Sequence, residues 1–264
     1  MNIIAMTCMC VDVFDASGEL RPGGEALNFA AVASEYDNVS MSLLGAIGDD
    51  KYGAAILDSI VDKSINKDYI HVISGADTAS HRIYLTENGD RYFKADSWNG
   101  GIHDCYRLTD HDKEKIKSAD VVFITYDSPS FYDVLELRKT AGFQLAVDFN
   151  VDRDFAKLES VVPYVDFFFI SGENSILPQF QRWSEKYGNI FNITLAENGS
   201  VTYHMGKEYR VSAVPVKEVI DTTGCGDSYH AAFLCTYLKD GDILEAMNEG
   251  ARVASEILGH IGGF

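Results

Sequence analysis

Short runs rich in β-branched and aromatic residues alternate with helix-length stretches along most of the 264-residue chain. Strand-like runs fall at 3–9, 41–47, 121–125, 144–149, 165–170 and 190–195. Helical stretches, such as 52–62 and 131–140, sit between most of them. Parallel strands cannot be joined by tight turns and need crossover helices. The alternation therefore predicts βαβ units and an α/β fold, a mainly parallel sheet with helices on both faces. Two places break the rhythm. Residues 79–93 read as a β-hairpin, with Ile83, Leu85 and Tyr92 alternating with polar residues around an Asn88-Gly89 turn. A hairpin inside an α/β chain predicts a small appendage such as a lid. Residues 201–214 predict antiparallel strands at one sheet edge.

With 46% apolar and 23% charged residues, the chain can bury a core, which excludes disorder as its main state. Against 22 Lys and Arg stand 40 Asp and Glu, a formal net charge of −18. Such a chain lacks the basic footprint of a nucleic-acid binder and does not suit an anionic membrane surface. Five cysteines, an odd number, and an N-terminal stretch without a basic region argue against a disulfide framework. No apolar run approaches the roughly 18 residues that span a bilayer. A cytoplasmic protein is expected, with neither nucleic acid nor membrane as partner. A polyanion would have to be held by local devices that overcome the global field.

One segment supplies such a device. D-T-T-G-C-G-D at 221–227 follows a β-like run and precedes a small-residue, apolar helix at 229–238. The first N–H groups of a helix lack internal acceptors. Gly224 and Gly226 let the backbone curl so that these donors converge, an anion cradle reinforced by the helix dipole. Asp227, in the first turn, can accept a proton from a hydroxyl attacking a bound phosphoryl group. The same residues also fit a plain turn and a helix-start acid. The chain has no P-loop, no G-x-G-x-x-G and no protein-kinase motif set.

The segment resembles the D-T-x-G-A-G-D signature of the ribokinase-like (PfkB) carbohydrate kinases, with Cys225 where alanine is usual. Further likenesses follow in family order. G-G-E-A-L-N at 23–28 resembles the sugar-binding G-G-x-x-x-N, and G-A-I-G-D-D-K-Y-G at 45–53 resembles G-x-x-G-x-D-x-x-G. D-F-N at 148–150 resembles a D-x-N strand end. T-L-A-E-N-G at 194–199 resembles the T-L-G-x-x-G nucleotide loop, with Ala196 in place of glycine. The N-x-x-E expected before that loop is altered to S-G-E-N at 171–174.

The resemblance implies one ribokinase-like domain over 1–264, a three-layer α/β/α fold with a hairpin lid inserted at about 79–95. It implies transfer of the ATP γ-phosphoryl group to a sugar hydroxymethyl, with Mg²⁺ bridging phosphate oxygens. Asp227 would be the base, and the amides of Gly224, Cys225 and Gly226 the anion hole. Asp12, Gly24, Glu25, Asn28 and Arg91 would bind the sugar. Asn28 would also cap a helix over 29–33. Thr194, Glu197, Gly199, Thr222 and Asn248 would line the nucleotide. Glu173 would act on the metal indirectly, and backbone carbonyls near Asp221 and Thr223 could hold K⁺. A lid sheet could pair into a homodimer. Cys8 and Cys10 read as alternating core positions on one strand.

Within the family, the region around Asp12, the run to Gly24, the signature with its Phe233 helix and the end at 259–264 are similar to kinases of fructoselysine, acting on the 6-hydroxyl. An acidic site would suit that substrate's ammonium, with Glu25 as partner. The same chemistry on another ketose, ribose or a nucleoside stays open, as does a catalytically silent binder of sugar or nucleotide.

Overall fold

The computed structural model describes residues 1–15, 17–85 and 91–264. Strands and helices follow one another as β1 (Asn2–Ala5), β2 (Cys10–Phe14), β3 (Leu20–Gly23), α1 (Glu25–Ala33), β4 (Ser40–Gly48), α2 (Lys51–Ser59) and β5 (Ile65–Ile73). Then come β6 (Ser80–Leu85), β7 (Arg91–Phe93), α3 (Gly101–Cys105), α4 (Asp110–Lys117), β8 (Val121–Thr125), α5 (Phe131–Arg138) and β9 (Gln144–Asp148). The chain continues through α6 (Phe155–Glu159), β10 (Phe167–Ser171), α7 (Leu177–Tyr187), β11 (Ile190–Thr194), β12 (Ser200–His204) and β13 (Lys207–Val211). It finishes with α8 (Cys225–Asp240) and α9 (Ile243–Ile257).

Nine strands form the main sheet in the order β13-β12-β11-β10-β9-β8-β1-β4-β5. Pairing is parallel from β5 to β11, and β12 and β13 close one edge antiparallel, as the 201–214 pattern predicts. All five residues of β8 are buried, because helices cover both faces and neither can be polar. Val121 and Phe123 face one core with α1, α8 and α9. Val122 and Ile124 face the other, where α5 and α7 bring Phe131, Phe180 and the buried Trp183. The two-residue period of the strands thus divides the apolar residues between two layers. Among the described residues no helix is long and apolar enough to cross a membrane.

The lid differs from its sequence reading. It is a four-stranded sheet, β3-β2-β6-β7, not one hairpin. β6 and β7 do pair antiparallel, but β6 lies parallel to β2, which comes from the segment before α1. The Asn88-Gly89 turn lies outside the described residues. The strand expected over 3–9 ends at Ala5, so Cys8 sits on irregular backbone and only Cys10 is in a strand. Helix α1 starts at Glu25, with Gly24 as its cap residue, so Asn28 lies one turn inside and caps nothing. Gly24 has φ 96°, and a Cβ there would overlap the Cys8 carbonyl. Only glycine lets α1 start against the segment that joins the two sheets.

The G-x-x-G-x-D-x-x-G segment joins β4 to α2. Asp50 caps α2 by accepting from Tyr52 N (3.1 Å) and Gly53 N (2.8 Å). It also accepts from Thr78 N (3.0 Å) and Thr78 Oγ1 (2.7 Å), which ties the helix start to the segment leading into β6 of the lid.

Candidate active site

Where the lid faces the carboxyl ends of the main-sheet strands, the molecule holds a cavity of about 570 Å³. Open α/β sheets bind ligands at this end of their strands. Asp12, Gly24, Glu25 and Asn28 line it from the lid and α1, and Thr222, Thr223, Gly224 and Asp227 line it from the start of α8. Two segments about 200 residues apart in sequence thus meet, and Asn28 Nδ2 donates to Asp227 Oδ2 at 2.8 Å.

Gly224, with φ 69°, precedes α8 in a left-handed conformation. A Cβ there would meet Gly263 Cα at 2.5 Å, so the turn is closed from outside by the Gly262–Gly263 backbone. Asp221 fixes its shape, accepting from Thr223 N (2.9 Å), Thr223 Oγ1 (2.6 Å) and Gly262 N (3.1 Å). The Cys225 N–H donates to the Thr222 carbonyl at 3.3 Å, which engages one of the expected anion-hole donors. Among the described residues the N–H groups of Gly226 and Asp227 have no backbone acceptor, and a Cβ at Gly226 would meet nothing within 4 Å. Two free amides at a helix start, opening on empty space, fit a phosphate oxygen. The Cys225 thiol is pushed up to about 11 by burial and by the Asp227 charge, so it stays protonated at neutral pH.

Burial raises the Asp227 carboxyl to about 7; the Asn28 hydrogen bond pulls it down, and the Asp148 charge pushes it up. Such a group exchanges protons near neutrality, as a general base must. Glu25 is likewise raised to about 7, first by burial and then by the charges of Asp227 and Asp127. Asp148, at the end of β9, is raised to about 7 by burial. Its Oδ2 lies 3.5 Å from Nδ1 of His230. His230 stacks on Phe169, has no hydrogen-bond partner, and is lowered to about 3 by burial, so it is neutral.

Other expected site residues lie outside the cavity. Thr194 ends β11, and its hydroxyl lies 2.9 Å from Ser171 Oγ. Glu197 and Asn248 are exposed, and Asn248 Nδ2 donates to the Leu244 carbonyl at 2.8 Å. Gly199 has φ 85°, and a Cβ there would overlap the Val211 carbonyl. Ala196, where relatives carry glycine, has φ 51°. Glu173 is exposed just past β10. Arg91 opens β7, and its side chain lies outside the described residues.

The cavity also recruits His81, Trp98, His103, Asp104 and Asp127, which the sequence reading did not place in the site, and Cys8, which it read as a core position. Cys8 and Cys10 therefore face a ligand space and not only core. Asp127 comes two residues after β8, so the strand-end rule would have found it. Trp98 and Asp104 sit on irregular backbone and a one-turn helix, which leave no periodic signal.

A lidded cavity at the strand ends, with free amides at a helix start beside a buried carboxylate, suits phosphoryl transfer by an enzyme of the α/β class. The pfkB family carbohydrate kinase model matches residues 12–263, and the chain belongs to that family. It is 30% identical over 274 aligned positions to the fructosamine kinase FrlD of Bacillus subtilis, covering 100% of this chain and 93% of that one. It is 26% identical to the fructoselysine 6-kinase of Escherichia coli, over 96% of this chain and 95% of the relative. In structure it is similar to an Arabidopsis thaliana ribokinase complexed with ribose and ATP, with TM-score 0.82 at 19% identity, covering 98% and 93% of the two chains. An adenosine kinase from Sinorhizobium meliloti gives TM-score 0.81 at 20% identity, over 99% and 95%. The protein is a carbohydrate kinase with a ribokinase-like fold, and kinases of this family use ATP with Mg²⁺.

Proposed function

We propose that residues 1–264 act as one kinase unit that phosphorylates the 6-hydroxyl of fructoselysine or a near fructosamine. The observation that carries the chemistry is the Asn28–Asp227 hydrogen bond at the start of α8, beside the two free amides. In this reading Asp12, Gly24, Glu25 and Asn28 hold the sugar, with Arg91 reaching it from the lid, and Asp227 receives the proton of the attacking hydroxymethyl. As the new oxygen–phosphorus bond forms, the bond from the γ-phosphorus to the β–γ bridging oxygen breaks, and ADP leaves with that electron pair. The Gly224–Asp227 turn, including the amides of Gly226 and Asp227, meets the transferring charge.

Thr222, Thr194, Glu197, Gly199 and Asn248 would run along the nucleotide. Among the described residues no three metal-ligating side chains converge, which fits an ion carried on phosphate oxygens and water, with Glu173 acting at a distance. When bound, Mg²⁺ supplies neutralisation of phosphate charge. In the same reading, backbone carbonyls near Asp221 and Thr223, on the turn before α8, would hold K⁺. The lid sheet ends in strands β3 and β7, two edges on which a second copy could pair into a homodimer.

What supports the acceptor is the likeness to fructosamine and fructoselysine kinases together with an acidic cavity. ADP release should be measured with fructoselysine, fructose, ribose and adenosine. Preferred turnover of fructoselysine, with kcat lowered about 10²–10⁴-fold by Asp227→Asn, is the expected result. Turnover of another sugar alone would overturn the acceptor, and retained turnover in Asp227→Asn would overturn the base.

A further inference from the structure

Five carboxylates line the cavity, those of Asp12, Glu25, Asp104, Asp127 and Asp227, and no Lys or Arg lines it among the described residues. Asp12 and Asp227 already have roles toward hydroxyls. Glu25 is placed beside the sugar in the kinase reading, and Asp104 and Asp127 have no role there. Among the described residues no cationic side chain pairs with Glu25, Asp104 or Asp127. Asp104 and Asp127 are exposed at the cavity mouth, while Glu25 is half-buried.

The three share one corner. Burial lowers the His103 imidazole, and the charges of Asp104 and Asp127 both act against that. The Cys8 thiol is held up by its Cys10 neighbour and by burial, and then by the charges of Glu25 and Asp104. The Asp104 carboxyl group lies against Gly100, where a Cβ would overlap it. Trp98, two residues earlier, lines the same cavity, 43% exposed, edge-on to His81 at 5.6 Å. It is held beside β6 by the paired backbone bonds of Ser80 and Asn99, 2.8 and 2.9 Å. In the same cavity Asn28, 3% exposed, keeps its Oδ1 without a hydrogen-bond partner, packed against the Gly263 backbone.

These groups do not converge as a metal site, and they would repel a triphosphate. A single positive charge on a flexible arm fits them. We infer that Asp104 and Asp127, backed by Glu25, form a subsite for an ammonium group on the acceptor, with Trp98 covering the alkyl chain beside it. The inference rests on the kinase reading above and names the part of the cavity that tells an amino sugar from a neutral one. Loosely held, water-exposed ion pairs give selectivity through their number more than through any one contact. An aromatic face adds to the attraction of a cation close to it.

The test compares fructoselysine and 1-amino-1-deoxyfructose with fructose. KM is measured for phosphorylation, and Kd by calorimetry without ATP, in the wild type, Glu25→Gln and Asp104→Asn/Asp127→Asn. The double variant should lose amine preference, the ratio of amine to fructose KM rising about five- to thirtyfold, with kcat on the amine changing less. Glu25→Gln should move the ratio the same way. If the wild type phosphorylates amino sugars and the double variant keeps the ratio, the subsite is overturned and the kinase reading stands. If amine-selective binding is present and is lost in the double variant, but no amino sugar is phosphorylated, the subsite stands and the proposed acceptor falls. Equal wild-type binding of fructose and its amine overturns the subsite.

Discussion

At Asp227 two neighbours act in opposite directions on one buried carboxyl. The Asn28 amide stabilises the charged form, and the Asp148 charge destabilises it. With the carboxyl near 7, kcat/KM should fall on the acid side of neutrality as the base becomes protonated. Asn28→Ala should move that limb to higher pH, and Asp148→Asn should move it lower. A pH–rate profile showing both substitutions shifting the limb in one direction would contradict this assignment. The place of Asp227 in the first turn of a helix was legible in the sequence from the glycines before it and the apolar run after it, although the same residues also fit a plain turn. Asp104 and Trp98 were not legible, since irregular backbone gives no period against which a side chain's direction can be read. Ala196 shows the opposite case: a departure from a motif was visible, but only its φ of 51° shows that this alanine occupies a conformation glycine adopts more easily.

Among the elements, the link between α2 and the lid approach depends on Asp50. Its carboxylate caps the helix and also holds Thr78 through backbone and hydroxyl. Thr78 Oγ1 in turn accepts from Gly48 N at 2.9 Å. Asp50→Ala removes the cap and leaves Thr78 N without its side-chain acceptor, so stability should fall by about 2–3 kcal/mol. Urea unfolding checks this, and a loss below about 0.5 kcal/mol would mean that water replaces the carboxylate. The strands β1, β4, β8, β9, β10 and β11 were readable from sequence because burial on both faces makes them apolar runs, whereas the edge strand β5, with exposed polar residues along it, was missed. The lid was only half readable. Strand β3 carries Arg21 and Pro22, and β2 finds its parallel partner β6 about 70 residues later in the chain. Pairing at that range leaves no mark in a local window.

For the whole molecule, three carboxyls, of Glu25, Asp148 and Asp227, are raised to about 7 by burial. In the unfolded chain they titrate near about 4. The folded protein therefore binds more protons between these values, and this contribution to stability, complete below about pH 4, is lost as pH rises through 7. Without ligand, Tm should decline from pH 5.5 to pH 8. Asp227→Asn should flatten the decline and raise Tm at pH 8 by about 2–4 °C for each kcal/mol of relieved charge burial. A Tm that climbs from pH 5.5 to pH 8, in both proteins, would show that these groups are solvated. The cavity is thus held at a cost to the fold, which a bound ligand offsets by mass action.

The chain has two tryptophans, and they occupy opposite environments. Trp183 is 2% exposed among Phe155, Phe168, Phe180 and Phe191, whereas Trp98 is 43% exposed at the cavity. Intrinsic fluorescence should therefore resolve into a blue component from the core and a red component from the site. Acrylamide should quench the red component freely. Iodide should quench it poorly, because the carboxylates around the opening repel an anion. A ligand entering the cavity should change the red emission alone, giving an optical titration of occupancy without any label.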